Sequence, residues 1–335
     1  MPGAALAGVV DGEVAWLKGY GLRRTGSHAP VRVDTVFGVA SVSKAVTALA
    51  VLALAEGGYL DLDADVRPRL ELPLVPHSLI GPKPVGAVTA RLLLQHRAGI
   101  HGRGTTPQRN NTRFLDASKG GGSHRFLQTD TADVPVDIPT LWNRASSGRG
   151  VLLTYTPGEQ RSYSGAGYLV LQHLIEQVTG EQFRDVMREY LGHLGATRAT
   201  FELRPPIEWP LAAGHHPDGS PLPGDHELVP WAAAGGMFSD VRSMASILTT
   251  VLNRDPKTPG ASLFSEFMSG TGTTVGKTAR SEVTFYAGGD NGGYRAKIVG
   301  IPARRAGVVV LTNGRSITGL SLRAALERLA LKSIE

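Results

Sequence analysis

The chain is 335 residues long, 41% hydrophobic and 19% charged, carries a formal charge of +6 and contains no cysteine. That length allows one or two lobes with enough apolar mass for a core, and the missing cysteine excludes disulfides, thiolate metal sites and a thiol nucleophile. The positive charge is scattered, with no dense Lys/Arg run, zinc-ligand spacing or aromatic-basic interleave, so a mildly basic solvated surface is expected and not a nucleic-acid site.

The opening "MPGAALAGVVDGEV" lacks a basic stretch before an apolar one, so no signal peptide is read and a soluble cytoplasmic protein is expected. "AALAGVV" and "EVAWLKGYG" are two β-patterned runs joined by Asp11-Gly12, a dipeptide suited to a tight hairpin turn. From Ser41 to Glu56 the chain is rich in Ala and Leu and stops at Gly57-Gly58, which predicts a helix. Its apolar part, Ala45 to Ala55, is far short of the roughly 20 residues a membrane crossing needs.

Helical patterns follow at "TARLLLQH", at "GYLVLQHLIEQVTGEQFRDVMREYLGHL" and at "DVRSMASILTTVLNR". Between the first two, residues 102–150 are polar, contain "SKGGGSH" and are too long for a routine connection; a mobile or substrate-facing loop is expected there. "EVTFYAGG", "YRAKIVGI" and "AGVVVLTNG" predict three more strands, and "LSLRAALERLALKSI" an amphipathic helix packed on the sheet. Strands at both ends with helices between predict a discontinuous α/β lobe, residues 1–60 and 230–335, holding a mostly helical lobe, residues 61–229.

Ser41 and Lys44, in "SVSK" at a helix start, lie three residues apart and therefore on one face, so the ammonium can reach the hydroxyl. A helix N-terminus favours developing anions, and a desolvated lysine gives up its proton more readily. The pair reads equally well as a helix cap beside a solvated lysine. On these residues alone both readings stand.

The surrounding blocks decide between them by resemblance. "VFGVASVSKAVTALAVLALAEGGYLDLDADV", "VTARLLLQHRAGI", "TYTPGEQRSYSGAGYLVLQHLIEQVTG", "AAAGGMFSDVRSMASIL" and "FYAGGDNGGYRAKIVGIP" before "GVVVLTNG" resemble, in order, the serine β-lactamase-like enzymes of the class C type. That group includes D-alanyl-D-alanine peptidases, family VIII-type esterases, D-aminopeptidases and acyltransferases. The resemblance implies a β-lactamase/transpeptidase-like fold, an antiparallel sheet flanked by helices with an all-helical insertion. The family's leading helix before the first strand has no counterpart, which points to a shortened N-terminus. It further implies that Ser41 is the acylated nucleophile, Lys44 its base and Tyr163 the proton shuttle, with the backbone N–H groups of Ser41 and Asp290 as the oxyanion hole.

Two positions depart from the family pattern. Gly165 stands where the Y-x-N motif has its asparagine, and Ala287 stands before Gly288-Gly289 where a Lys, His or Trp is usual. Lys277-Thr278-Ala279 precedes the strand and lacks the final glycine, so it is read as loop. Arg295, on the next strand, could restore a positive charge, but the sequence does not give its direction. No G-x-S-x-G elbow occurs, "GGDNGGY" opens a strand and no helix, and His215-His216 reads as a surface turn. No metal or cofactor is expected. The expected activity is acyl transfer through Ser41 on a small ester or amide, as an esterase or amidase or as a transacylase with an amine or alcohol acceptor. A catalytically weakened ligand-binding homologue is the third reading. Substrate and oligomeric state stay open.

Overall fold

A computed structural model describes residues 2–70, 74–76, 86–100, 151–226, 229, 231–278 and 280–314. The chain starts with the hairpin of β1 (Gly3–Val10) and β2 (Glu13–Gly21). Asp11 and Gly12 turn it at φ 52 and 83, the two left-handed residues of a type I′ turn. β3 (Val36–Gly38) leads into α1 (Val42–Glu56), one residue inside the predicted helix start. Every α1 residue from Val42 to Leu52 is buried, as expected of a helix that is apolar all round and sits in a core.

β4 (Leu74–Pro76) and α2 (Ala90–Leu94) precede β5 (Val151–Leu153), which pairs with β4 in parallel. Next come α3 (Gly165–Thr179) and α4 (Phe183–His193), separated by Gly180 in a left-handed stop. β6 (Ala199–Thr200), α5 (Ala232–Gly235), β7 (Phe238–Asp240), α6 (Val241–Asn253) and α7 (Phe264–Met268) follow. The chain then enters β8 (Thr274–Lys277), β9 (Val283–Asn291), β10 (Tyr294–Ile301) and β11 (Ala306–Thr312).

The main sheet is antiparallel in the order β2-β1-β11-β10-β9-β8, so the first and last described strands lie side by side. Both faces of its centre are buried. Ala5, Ala7, Val9, Ala296, Ile298, Val309 and Leu311 join the large core with α1 and α6. Their neighbours Ala4, Leu6, Val299, Val308 and Val310 form a second cluster on the opposite face, as alternation along a strand requires. β3, β7 and β6 make a small second sheet, in which β6, from the stretch read as mostly helical, is stitched to β7.

Two readings are corrected. Lys277, read with Thr278 and Ala279 as loop, is the last residue of the edge strand β8, which at four residues is too short to show alternation in the sequence. His215 is no surface residue but fully buried. Its Nδ1 donates to the Asn313 carbonyl at 2.7 Å while Nε2 accepts the Thr25 N–H at 3.0 Å, so both ring nitrogens are used to tie loops to β11. The predicted C-terminal helix and the 102–150 loop lie outside the described residues. No helix among the described residues is long and apolar enough to cross a membrane.

Candidate active site

Three helix starts among the described residues are closed by side chains. Thr89 accepts the Leu92 N–H, Ser164 the Gly167 N–H at 2.9 Å and Asp240 the Ser243 N–H at 2.7 Å. Ser41, at the start of α1, makes no such bond. Its Oγ instead receives the Tyr163 hydroxyl at 2.8 Å and the Lys44 ammonium at 3.2 Å. The capping reading of Ser41 therefore fails, and a hydroxyl is left poised between two proton-carrying groups.

The backbone that delivers Ser41 is strained. Ala40 sits at φ 49 in the left-handed region, which costs an L-residue about 1–2 kcal/mol. It is held there because the Ser43 N–H and hydroxyl both bond the Ala40 carbonyl, at 2.9 and 2.6 Å, and the Ser43 Oγ also accepts the Met237 N–H at 3.0 Å. Ala40→Gly is expected to fold with stability within about 1 kcal/mol of the parent, since relief of strain offsets added chain entropy. Ala40→Val, β-branched in the same conformation, should lower the melting temperature clearly in the same thermal-unfolding measurement.

Lys44 is 6% exposed, and its partners are neutral. Besides Ser41 it donates to the Ala234 carbonyl of α5 and lies 5.1 and 5.7 Å from the ring centres of Tyr163 and Tyr168. Among the described residues no carboxylate is within ion-pair distance of it, so this cation is stabilised by a carbonyl, a hydroxyl and π faces. Half of the Tyr163 surface is exposed, but the loss of solvent around its oxygen would by itself raise the phenol. The Lys44 ammonium, the hydrogen bonds with Ser41 and Lys44, and the Arg161 charge outweigh it and hold the phenol below its ordinary value. An oxygen that ionises more easily, beside a serine hydroxyl and a cation, can accept the serine proton.

The opposite wall is β9. A Cβ built on Gly289 would lie 2.2 Å from the Val39 carbonyl oxygen and 2.9 Å from the Ser41 nitrogen, so only glycine lets the strand come this close to the nucleophile. β8 pairs with β9 only as far as Tyr286, which leaves Ala287 to Asn291 without a β8 partner on that edge. Asp290 follows Gly289, and by alternation its side chain lies on the far face of the sheet. There it pairs with Arg295 at 2.9 Å. Arg295 shares that register position, so its charge is turned away from Ser41 and does not replace the missing cation before the glycine pair. Lys277 stands opposite Val283, six residues before Gly289 along β9 and so about 20 Å away.

Gly165 opens α3, and a Cβ there meets nothing within 4 Å; the same holds at Gly288. Ala287 is half-buried against the main core. Two groups at the site were not singled out from the sequence. One is the Ala234 carbonyl, a backbone atom without a side-chain signature. The other is His96, whose ring lies 4.6 Å from that of Tyr163; the lone histidine after "TARLLLQ" was its only trace. Among the described residues no group of three His, Cys, Asp or Glu side chains is placed to hold a metal ion. A cavity of about 580 Å³ between α3 and α4, lined by Gln172, Glu176, Phe183, Arg184 and Phe201, contains none of Ser41, Lys44 and Tyr163.

Comparison with known proteins places these features. The family model described as beta-lactamase matches residues 1–332. The serine beta-lactamase-like protein LACTB, mitochondrial, of Mus musculus is 26% identical over 253 residues, 62% of this chain and 45% of that protein. The unguisins hydrolase ungD of Aspergillus violaceofuscus is 28% identical over 271 residues, 76% of this chain and 42% of that protein. The chain thus spans less than half the length of these curated relatives. The octameric penicillin-binding protein homologue from Pyrococcus abyssi superimposes with a TM-score of 0.75 at 25% identity, over 97% of this chain and 74% of that one.

Proposed function

The chain belongs to the beta-lactamase family, and from that premise we propose that it is a serine acyl-transfer enzyme that forms an acyl-enzyme on Ser41 and acts on a small ester or amide. The observation that carries this reading is the Ser41 Oγ, which caps nothing and sits at hydrogen-bond distance from both Tyr163 and Lys44. A ligand-binding homologue would have no use for a buried ammonium held against a serine.

In this reading the ionised Tyr163 oxygen takes the Ser41 proton as Oγ bonds the substrate carbonyl carbon. Lys44, expected from the sequence as the base, serves mainly as the cation that keeps Tyr163 ionised. The carbonyl oxygen becomes an oxyanion, received by the backbone N–H groups of Ser41 and Asp290. Tyr163 returns the proton to the departing alcohol or amine as the tetrahedral carbon collapses to the acyl-serine. Water, or an amine acceptor, then gives its proton to Tyr163 and attacks the acyl carbon, and Ser41 is regenerated as its oxygen regains that proton. Hydrolysis is supported by the hydrolase among the relatives. The test is intact-protein mass spectrometry with a panel of activated esters, with and without added amines. An acyl adduct on Ser41 is expected, and release of an N-acyl product with amines would mark a transacylase. No adduct with any ester would overturn the reading.

Substrate preference follows from Gly165 and Ala287. In relatives that process β-lactams, side chains at these positions hold the amide and carboxylate of the substrate; here neither offers a donor, and Arg295 does not compensate. Losing donors to a charged group removes about two factors of ten or more in rate. Neutral esters or amides are therefore expected to be turned over faster than a chromogenic cephalosporin. A Cβ at Gly165 meets no neighbour within 4 Å, and Gly165→Asn with Ala287→Lys should raise kcat/KM for the cephalosporin relative to a short p-nitrophenyl ester. An unchanged ratio would remove the idea.

A further inference from the structure

Tyr163 is exposed over half its surface and precedes the first turn of α3, so its own helix does not fix it. The two residues that flank it are both bonded to His96. The Ser162 N–H donates to the His96 carbonyl at 2.8 Å, and the Ser164 N–H donates to His96 Nδ1 at 3.1 Å. Between these two bonds the imidazole lies under the phenol, ring centres 4.6 Å apart and tilted by 43°. The same ring packs 5.3 Å from that of Tyr168, which is fully buried in the first turn of α3. His96 adopts φ 59, a left-handed conformation for a non-glycine residue, directly after the short helix α2. That strain turns its carbonyl and its ring toward the same stretch of chain.

We propose that His96 is a positioning residue for the proposed serine chemistry: a neutral imidazole that brackets Tyr163 from both sides and sets the phenol oxygen on the Ser41 Oγ. This rests on the acyl-enzyme reading above. To accept the Ser164 N–H, Nδ1 must carry a lone pair, so its proton belongs on Nε2. Burial, reinforced by the Lys44 and Arg161 charges, pushes the imidazolium down to about 3, which keeps the acceptor in place across the working range. Protonation would set two donors against each other at Nδ1 and add a cation beside Lys44.

Two substitutions that tolerate the left-handed backbone separate the ring's role from a purely structural one. His96→Gly keeps the conformation and the carbonyl but removes the Nδ1 acceptor and the ring. His96→Asn keeps the conformation and offers an amide oxygen near the position of Nδ1. A small displacement of a proton-transfer group costs about 100-fold. His96→Gly is therefore expected to lower kcat for an activated ester about 100-fold with KM little changed, and His96→Asn to recover most of that loss. A second readout needs no substrate. Tyrosinate absorbance against pH, with Tyr163→Phe as the assignment control, should show an early-titrating phenol in the parent and in His96→Asn. In His96→Gly it should titrate later. Equal kcat in parent and His96→Gly, equal impairment of both variants, or an unmoved tyrosinate transition would overturn the proposal. Failure of any ester to acylate the parent would instead overturn the acyl-enzyme reading, while the titration still decides the place of His96.

Discussion

Replacing Ser41 by alanine is expected to lower turnover by about 10⁴-fold or more, the loss seen when a nucleophile acting in a concerted set is removed. The fold should be untouched. The Ser41 side chain caps no helix and, among the described residues, bonds only Tyr163 and Lys44, so thermal stability should stay within about 1 kcal/mol of the parent. Lys44→Met is expected to cost a comparable share of activity while holding or raising stability. At a pH where Tyr163 still holds its proton, the ammonium is buried with neutral partners among the described residues, and exchanging a desolvated charge for an apolar side chain of similar length is often neutral or stabilising. A site that gives up stability to keep a cation next to a serine is organised around chemistry. Initial rates with an activated ester and a melting curve for each variant check both statements. Full activity in a folded Ser41→Ala variant would sink the assignment, and a Lys44→Met variant that is active but unstable would make that lysine structural.

Where a local rule has one outcome, the sequence was legible. Asp11-Gly12 between two alternating runs allows little except the tight turn found there, with both residues at positive φ. The Ala- and Leu-rich run that stops at paired glycines became α1, buried on all sides. Ser41, Lys44 and Tyr163 were named from helix spacing and from family resemblance, and the fold brings the three side chains within contact of one another. What was missed lies in backbone and long-range contacts. The Ala234 carbonyl that receives Lys44 has no side-chain signature. His215 looks like a loop histidine and His96 like the last residue of a helical run, until the end of β11 and the start of α3 fold onto them. The direction of Arg295 could not be read because it depends on the register of β10 against β9, and a shift of one residue would reverse it. β8 is four residues long and acquires its identity from pairing with β9.

Tyr163→Phe is expected to lower kcat/KM by about 10²- to 10⁴-fold, the range that general acid–base catalysis contributes, because it removes the proton carrier and keeps the ring that packs on His96. The pH dependence carries the more specific expectation. A phenol accepts a proton only when ionised, so the rate with the parent should rise with pH as Tyr163 loses its proton and then level off. Against the loss of solvent, the Lys44 charge, the phenol's hydrogen bonds with Ser41 and Lys44, and the Arg161 charge pull that ionisation below the ordinary tyrosine value of about 10. The ascending limb should therefore lie below that value. In Tyr163→Phe the limb should vanish along with the rate. In Lys44→Met it should move upward, since the largest stabiliser of the phenolate has gone while burial remains. The sign of that second shift is the discriminating result: if Lys44 were the base and Tyr163 only a hydrogen-bond donor, removing Lys44 would erase the limb and leave no transition to move. Profiles of kcat/KM against pH for the parent and the two variants decide between these roles.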